Sequence, residues 1–510
     1  MSCLLVWLAV AAAVAALLWL LLVRPLGHWQ RLGVPFEPGT PLFGNYFRVL
    51  AQRTSAGEVL AEIYKKHEGK AYVGVFQFQE PAIMVRDPEL LRAILVKDFA
   101  SFQRNVFPVD KDLDPLVAKN PFVLTGEEWK ASRQKLTSTF SASRIRNMLP
   151  LVAEACDAMV RFVRDEEPAS LPDGLDVKEL ASRFTTESVS SVAFSLRANC
   201  FEDPNPEVRA MNRQIMEPTG LRMLQLTLQV FMPWLAKIVR VRLVPLEVDR
   251  YFRRLVRDAV DHRERSGVER PDFLQMLLQI RKRSEEAGEG GYGEEEMTSH
   301  ALSFFVDGFE TSSVALSLLL HDLAHSPADQ SRLRAELQAL DPLDHEAVLH
   351  APFLHACLQE TLRLHPPGLF LRKECTAAWQ LPAAEGQGRG AVLTPGTQVL
   401  IPLLALHTDP QHVPQPLRWW PQRWLPDEAG AAPPPRFAVL PFGEGPRQCL
   451  GMRFALAQVK MGAAALVRAC DIRLTPRSPP NPPPLDPSSF LYGARGGLWL
   501  HFAPLDARAD

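Results

Sequence analysis

One cysteine in this chain stands in a sequence that could bind a cofactor. Residues 441–451 read PFGEGPRQCLG, so Cys449 follows a glycine-rich loop and precedes an apolar helix predicted over residues 454–467. Gly443 and Gly445 permit loop conformations that other residues avoid, and they let the backbone pass close to a flat cofactor. Free N–H groups at a helix start can point at a thiolate, the form of cysteine that binds metal ions, and lower its pKa. The segment predicts a thiolate ligand to the metal of such a cofactor; the alternative is a buried cysteine beside a turn.

A second group of polar side chains interrupts an apolar segment. Residues 301–320 read ALSFFVDGFETSSVALSLLL, which predicts a helix that crosses the core. The polar exceptions include Asp307, Glu310 and Thr311. Asp307 and Thr311 are four residues apart and therefore share one face of the helix.

Two further helices carry paired side chains at helical spacing. Glu360 and Arg363 are three residues apart, and two prolines that follow them end the helix. Trp129 and Arg133 are four residues apart, so both lie on one face of their helix. The Glu–Arg spacing alone is a weak signal, because exposed helices carry it by chance.

Together and in this order, the motifs resemble those of the cytochrome P450 family, the haem-thiolate monooxygenases. The cysteine loop matches F-x-x-G-x-R-x-C-x-G, residues 308–312 match G-x-[DE]-T-[TS], and residues 360–363 match E-x-x-R. The resemblance covers essentially the whole chain. It implies a mainly α fold with small β-sheets (α+β), a helical prism with a small β-rich lobe, preceded by one transmembrane helix.

The cofactor implied by the resemblance is haem b, iron protoporphyrin IX, with Cys449 as axial ligand to the iron. A thiolate there pushes electron density onto the iron and favours O–O cleavage. O2 and NADPH-derived electrons would be co-substrates. Either Lys373 or its neighbour Arg372 would face a haem propionate. The residues expected to bind the cofactor are Cys449, Arg447, Trp129, Arg133, Arg104, Lys373, Phe442, Gly443 and Gly451.

The resemblance also implies a buried ion triad of Glu360, Arg363 and Arg423 on the cysteine side of the haem. Residues 421–424 read PQRW, where the family usually has P-E-R-F. The two departures leave Arg423 intact. Such a triad need not add net stability, but loss of one member leaves a buried charge unpaired.

On the oxygen side, the resemblance gives catalytic roles to Thr311, Glu310 and Asp307. Thr311 would hydrogen-bond the oxygen, and Glu310 would help to relay protons. The family usually has Ala where this chain has Asp307. We predict that Asp307 shapes the distal pocket; the alternative is a carboxylate turned away and hydrogen-bonded elsewhere. If both acids are buried, they should titrate as a coupled pair.

The N-terminus predicts a membrane anchor. Residues 1–23 hold no ionisable side chain except the thiol of Cys3, and residues 3–23 form about 31 Å of helix, which matches the hydrocarbon thickness of a bilayer. The first charge is Arg24, after the apolar run, so the body is expected to face the cytosol. The alternative, a cleaved signal peptide, would have a basic start and a shorter apolar region. We therefore divide the chain into an anchor (1–23), a Pro/Gly-rich linker (24–45) and a catalytic domain (46–510).

Composition excludes several other classes of protein. The 510 residues are 47% hydrophobic and 22% charged, which excludes a disordered, collagen-like or multi-span membrane protein. The chain has 56 Lys and Arg against 58 Asp and Glu, so it lacks the overall excess of positive charge that is typical of nucleic-acid-binding proteins. The seven cysteines are scattered and odd in number, and this pattern argues against a disulfide framework or a zinc site.

Periodicity predicts a mostly helical body. Pro150 is expected at the first turn of its helix, where its missing N–H costs nothing. Residues 221–243 are apolar with basic residues behind them, which suits either a helix at the membrane interface or a buried core helix. The predicted helices are 56–67, 89–96, 129–140, 150–162 and 248–265, and the predicted strands are 72–76, 82–86, 398–401 and 497–502.

The segments FFVDGFETSS and ETLRLHPP look most like the insect detoxification branch, which is akin to the vertebrate 3A subfamily. This implies insertion of one oxygen atom of O2 into an apolar small molecule: a xenobiotic, insecticide, plant toxin, steroid or lipid hormone. Electrons would come from NADPH through NADPH-cytochrome P450 reductase, with cytochrome b5 as a second candidate partner. The expected location is the endoplasmic reticulum membrane, with a single N-terminal anchor.

Two other functions stay open at this stage. One is a haem-thiolate isomerase or dehydratase that needs no O2, and the other is a non-catalytic haem sensor. Glu310 and Thr311 are both retained, which favours the monooxygenase. The identity of the substrate is not encoded in any motif of the chain.

Overall fold

The computed structural model describes residues 2–166, 173–216, 220–231, 233–288, 292–341, 344–383, 390–425, 428 and 433–505. The α-helices are Ser2–Leu18, His28–Arg31, Phe47–Leu50, Ala56–Lys66, Pro88–Arg92, Pro115–Ala118, Gly126–Thr137, Ala142–Glu166, Val177–Phe194, Glu207–Met216, Leu221–Phe231, Pro233–Ile238, Leu246–Ser266, Phe273–Glu286, Glu294–His325, Pro327–Gln338, His345–His350, Pro352–Leu364, Leu403–Leu406 and Met452–Ala469. Shorter 3₁₀ or π turns are Trp19–Val23, Arg24–Gly27, Ala93–Lys97, Phe99–Ser101, Ser138–Phe140, Pro421–Trp424 and Gly445–Arg447. The prediction of a mainly α chain with small sheets is confirmed.

In the described part of the chain, ten short strands form three sheets. They are β1 (Tyr72–Gln77), β2 (Glu80–Val85), β3 (Arg104–Asn105), β4 (Leu175–Asp176), β5 (Leu371–Glu374), β6 (Trp379–Gln380), β7 (Val392–Leu393), β8 (Gln398–Ile401), β9 (Cys470–Leu474) and β10 (Trp499–Pro504). The largest sheet has the order β1-β2-β8-β5-β3, in which only β2 and β8 pair in parallel. The other sheets are β4-β10-β9 and β6-β7.

Three helices form the centre of the helical body. The long helix Glu294–His325 packs against Val177–Phe194 and Met452–Ala469. Their close approach depends on Gly462, because a Cβ at this position would lie 2.8 Å from the ring of Phe184. This packing holds the start of the helix that follows Cys449 in a fixed position against the long helix.

The helix around Pro150 begins earlier than the sequence predicts. It spans Ala142–Glu166, so Pro150 lies in its interior and not at its first turn. An internal proline loses one backbone hydrogen bond and clashes with a preceding carbonyl, at a cost of about 3 kcal/mol. The same helix carries Ile145, Met148 and Val152 into the core, and burial of each side chain stabilises the fold by about 1.5–3 kcal/mol. Burial outweighs the local cost, and the prediction from proline chemistry was wrong.

The N-terminal helix leaves the body and is followed by a segment that packs on the large sheet. By length and composition, the helical span Leu4–Arg31 could cross a membrane, and none of its most apolar stretch is buried against the rest of the protein. The helix Glu294–His325 is also long and apolar enough to cross a membrane, but 61% of its most apolar stretch is buried in the core. The Trp29 side chain is fully buried, and its indole N–H donates to the Val75 carbonyl at 3.0 Å. The indole fits there because Gly74, the residue of β1 beneath it, has no side chain. A Cβ at Gly74 would lie 2.4 Å from the indole ring.

Residues 221–243 do not form a single buried core helix. They form two helices, Leu221–Phe231 and Pro233–Ile238, and residue 232 lies outside the described residues. Of the side chains described in this stretch, four apolar ones are more than half exposed, and the exposed bases Lys237 and Arg240 lie among them. These four side chains belong to Leu221, Leu224, Ile238 and Val239.

Candidate active site

The cysteine loop is held by backbone geometry that requires glycine. Gly443 and Gly445 have φ of 67° and 76°, in the left-handed region. A Cβ at Gly445 would lie 2.1 Å from the Leu95 carbonyl oxygen, so no other residue fits there. The Cys449 N–H donates to the Phe442 carbonyl at 2.9 Å, which closes the loop.

The Cys449 side chain faces an interior space. It is exposed, although it lies deep in the protein. Burial raises the pKa of the thiol to about 11, while N–H groups of Gly451 and Met452 point at the sulfur and Arg133 lies near enough to lower it. The expectation that helix-start amides lower the pKa was right in direction, but desolvation is the larger effect. A thiolate at this position therefore needs a cation or metal beside it.

Three cationic side chains converge beside this space. The Arg447 guanidinium donates to the carbonyls of Gln103, Pro121 and Leu124 at 2.6–2.9 Å and lies 4.1 Å from the Trp129 ring centroid. The helix Gly126–Thr137, which carries Trp129, also carries Arg133, and Arg133 donates to the Gln448 carbonyl at 2.8 Å. The third cation is Lys373, whose Nζ donates to the Asn105 Oδ1 at 2.7 Å.

The register of β3 and β5 decides which base joins this cluster. Lys373 pairs across the strands with Asn105, and Glu374 pairs with Arg104. Successive residues of a strand point to opposite faces, so Lys373 and Arg104 are on different faces. Lys373 is near enough for Arg447 to lower its pKa, whereas Arg372 donates to Gln398 on the other face.

Arg104 is not brought to the cluster, contrary to its prediction as a cofactor contact. Its side chain is 51% exposed and forms an ion pair with Glu374 at 3.1 Å. The physical reason is the same alternation along β3, which directs Asn105 inward and Arg104 outward. Arg372 is likewise separated from the cluster, so Lys373 is the member of that pair that fits a propionate contact.

The cationic cluster, defined as Arg133, Lys373 and Arg447, has no anion of its own. Within the described residues, each of its hydrogen-bond acceptors is a neutral carbonyl or amide, and none of the three forms an ion pair. Burial lowers the pKa of Lys373 to about 7 and that of Arg447 to about 10, with a neighbouring cation adding to each shift. Buried charges are normally paired, so the cluster fits a ligand that brings carboxylates. The two propionates of haem would meet this requirement, with Cys449 available as a ligand to its iron.

The long helix places Asp307 and Thr311 on the opposite wall of this space. The Asp307 side chain is accessible although it lies deep in the protein, and its charge raises the pKa of the Cys449 thiol. The Thr311 hydroxyl donates to the Asp307 carbonyl at 2.7 Å. The Asn120 amide lies 3.5 Å from the Asp307 carboxylate. Asp307 is thus turned towards the interior, which the sequence alone left open.

Glu310 faces a different direction. Its carboxylate forms an ion pair with Lys178 at 2.9 Å, and its side chain is 16% exposed. Burial raises the pKa of Asp307 to about 6, opposed only by the hydrogen bond from Asn120; Glu310 makes no contribution. The two carboxylates have different partners, Asn120 for Asp307 and Lys178 for Glu310, so the side-by-side buried arrangement on which a coupled titration depended is not formed.

The ion triad is assembled as predicted and is fully buried. Arg363 donates twice to Glu360, at 2.8 and 2.9 Å, and Arg423 donates once at 2.9 Å. The unusual Trp424 adds its indole N–H to the same carboxylate at 2.9 Å. Glu360 also accepts the N–H of Trp420 at 3.0 Å. Tryptophan in place of the usual phenylalanine thus gives Glu360 one additional hydrogen-bond donor.

Several residues at the site had no signal in the sequence. Asn120, Asn105 and Lys178 lie outside every motif, and only chain folding brings them to Asp307, Lys373 and Glu310. Trp424 did carry a signal: a polar aromatic where the motif has an apolar one.

Comparisons with known proteins agree with the geometry of the site. The family model described as Cytochrome P450 matches residues 34–500. The chain is 33% identical to "Probable cytochrome P450 6g2" and 34% identical to "Probable cytochrome P450 28d1", both of Drosophila melanogaster, over 97% of this chain and 98% of each relative. It is 32% identical to "Cytochrome P450 6j1" of Blattella germanica, over 97% of both chains.

Proposed function

The chain belongs to the cytochrome P450 family and is a haem-thiolate monooxygenase, and on this premise we propose its substrate class, electron source and location. It inserts one oxygen atom of O2 into an apolar small molecule, either a foreign compound or an endogenous lipid or steroid. Electrons come from NADPH through the membrane-bound NADPH-cytochrome P450 reductase, with cytochrome b5 as an accessory donor. The enzyme is held at the endoplasmic reticulum membrane with its body in the cytosol.

The observation that carries the assignment of the site is the pairing of Cys449 with the cationic cluster. The thiol supplies a metal ligand, and three cations, of which Lys373 is buried and the two arginines are partly buried, supply the counter-charge for two carboxylates. Trp129 stacks on Arg447 and keeps that guanidinium in place. Bound haem with thiolate ligation supplies the capacity to reduce and cleave O2.

On the oxygen side, Thr311 and Glu310 divide the handling of protons. The Thr311 hydroxyl donates to the backbone of Asp307 and keeps its lone pairs free to accept a hydrogen bond from the interior. Glu310 is joined to Lys178, whose side chain is 31% exposed. This ion pair lies between solvent and the helix turn that carries Thr311, so it supports a proton route through Lys178 and Glu310.

The location rests on the N-terminal helix and the exposed apolar side chains of residues 221–239. Both present apolar surface to the outside, and basic residues adjoin each of them. Apolar surface flanked by lysine and arginine suits the interface of a bilayer. Protease added to sealed microsomes should digest the body; protection of the body would contradict the cytosolic orientation.

Reconstitution tests the reaction. With purified reductase, NADPH and isotopically labelled O2, the enzyme should give product that contains one labelled oxygen atom per turnover. Cys449→Ser should remove the red-shifted Soret band of the reduced carbon monoxide complex, while Cys470→Ser keeps it. Product formed without NADPH or O2 would indicate an isomerase or dehydratase instead.

Thr311→Ala tests the oxygen side separately. It should leave spectral shifts on substrate binding nearly unchanged but divert NADPH oxidation to hydrogen peroxide. Coupling equal to that of the unmodified enzyme would remove Thr311 from the proton route.

A further inference from the structure

Asp307 is a charged group in a space that should otherwise favour apolar ligands. It lies one helical turn before Thr311 and on the same face, and Thr311 is bonded to its carbonyl. Its charge is felt at Cys449, so the carboxylate faces the interior between the long helix and the cysteine loop. Any substrate positioned for oxidation there lies within reach of it.

The carboxylate has no counter-ion among the described residues. Its one side-chain contact is the Asn120 amide, at 3.5 Å the long limit of a hydrogen bond. Lys119, which precedes Asn120 in the chain, forms ion pairs with Glu295 and Glu296. Lys178 is engaged by Glu310. Among the described residues, neither of these lysines nor any member of the cationic cluster forms an ion pair with Asp307, so its carboxylate is left without a paired cation.

Two hydrogen bonds hold the segment that carries Asn120 in place. Asn120 Oδ1 accepts the N–H of Phe122 at 2.7 Å, and the Phe122 carbonyl accepts a hydrogen bond from Asn105. Phe122 is 51% exposed, and its ring meets that of Phe107 edge to face at a centroid distance of 6.0 Å. The residue whose backbone orients the Asn120 amide is thus an aromatic one, half exposed and packed on a second aromatic ring.

A carboxylate, an amide and aromatic rings are the groups that proteins use to bind organic cations. Burial of an unpaired carboxylate is costly, and a cationic ligand would relieve that cost. This is consistent with the pKa of Asp307, which burial raises to about 6. We propose that Asp307, with Asn120 beside it, forms a subsite for the ammonium group of an otherwise apolar substrate. The proposal rests on the proposed monooxygenase function and specifies its substrate class.

The test uses the full-length haem-loaded enzyme and a matched pair of ligands. One is an alkyl chain that ends in a trimethylammonium group, and the other ends in the isosteric tert-butyl group. The quaternary nitrogen has no lone pair, so it cannot ligate the haem iron and imitate substrate binding. The affinity of each ligand is measured by spectral titration at constant ionic strength.

The unmodified enzyme should bind the ammonium ligand about tenfold or more tightly than its neutral isostere, which corresponds to at least one well-placed charge contact. Asp307→Asn, nearly isosteric, should bring the ratio of the two affinities close to one, and Asp307→Glu should retain a preference. Glu310→Gln is the matched control, because it removes the acid that faces Lys178 and should leave the ratio unchanged. An equal ratio in the unmodified enzyme and in Asp307→Asn would overturn the proposal.

Each variant is first checked for the spectrum of its reduced carbon monoxide complex, so that misfolding is not read as lost affinity. Turnover of the neutral ligand separates the two proposals. If the enzyme oxidises the neutral ligand but shows no ammonium preference, the subsite is wrong and the monooxygenase function stands. If it binds both ligands with the expected ratio but oxidises neither with reductase and NADPH, the monooxygenase function fails and the subsite stands.

Discussion

Two clusters of charged side chains lie near the cysteine loop, and they differ in whether the chain itself supplies an anion. In the triad, the Glu360 carboxylate accepts hydrogen bonds from Arg363, Arg423 and two tryptophan N–H groups. In the cationic cluster, the donors of Arg133, Lys373 and Arg447 meet only neutral acceptors. The first is complete as the chain folds, whereas the second requires an anion from elsewhere.

The comparison separates residues that stabilise the fold from residues that bind. A buried network that contains its own anion loses stability when that anion is removed, because the remaining charges stay buried without a partner. A cluster of cations without an anion is costly until a ligand supplies one, and the free energy recovered then contributes to ligand affinity. The first cluster should therefore respond to mutation through folding, and the second through retention of haem.

The largest expected effect is that of Glu360→Gln. It leaves two buried guanidinium groups without an anion and should lower the free energy of unfolding by about 3–5 kcal/mol. The measurement is the yield of haem-loaded protein and its denaturation midpoint. Glu428→Gln, which breaks the exposed pair with Arg332, should change neither quantity measurably. Equal behaviour of the two variants would show that the triad is not a folding element.

Lys373→Met should act on haem retention and much less on folding. Removal of one charge-assisted hydrogen bond costs about 1.5–3 kcal/mol, or roughly 10- to 150-fold faster transfer of haem to an acceptor protein. Arg372→Met is the matched control, since Arg372 occupies the same strand and faces Gln398 instead. Faster haem loss from the control than from Lys373→Met would contradict the assignment of faces in β5.

The pH dependence of haem affinity gives a smaller effect from the same lysine. Without an anion beside it, burial lowers the pKa of Lys373 from 10.5 to about 7, and a carboxylate would raise it again. Below pH 7 the lysine is protonated with or without haem, so affinity is independent of its titration. Above pH 7, binding must take up a proton, and affinity should fall by up to about tenfold per pH unit. Haem titrations at several pH values should show this slope, and Lys373→Met should flatten it.

The smallest expected effect is that of Trp424→Phe, which restores the residue usual in the family motif. It deletes one of the donors to Glu360 but leaves both arginines in place, so stability should fall by about 1 kcal/mol. The thermal midpoint of the haem-loaded enzyme is the measurement, with Trp420→Phe as control, since Trp420 bonds Glu360 through its backbone. An unchanged midpoint for Trp424→Phe would mean that the indole hydrogen bond is replaced by water.

Local chemistry could be predicted from the sequence, but long-range pairing could not. The loop before Cys449 and the Glu360–Arg363 pair depend on residues within one turn or one helix, so their spacing was sufficient. Arg104 was misplaced because its direction depends on the register of β3 against β5, which are separated by more than 260 residues. Pro150 was misread because the free energy of core burial outweighed its local preference.

The oxygen side shows the same division. The shared face of Asp307 and Thr311 follows from helical periodicity and could be predicted. The partner of Glu310 could not, because Lys178 comes from another helix and no residue near it marks the pairing.

The burial of Trp29 has a practical consequence for making a soluble form of the enzyme. A truncation that removes residues 1–23 discards the exposed apolar helix and keeps the tryptophan in its place against the sheet. A truncation at residue 34, where the match to the family model begins, would also remove Trp29. It would leave the Val75 carbonyl without its donor and open a hole above Gly74. The shorter protein should therefore aggregate or melt earlier than the longer one, although both lack the N-terminal apolar helix.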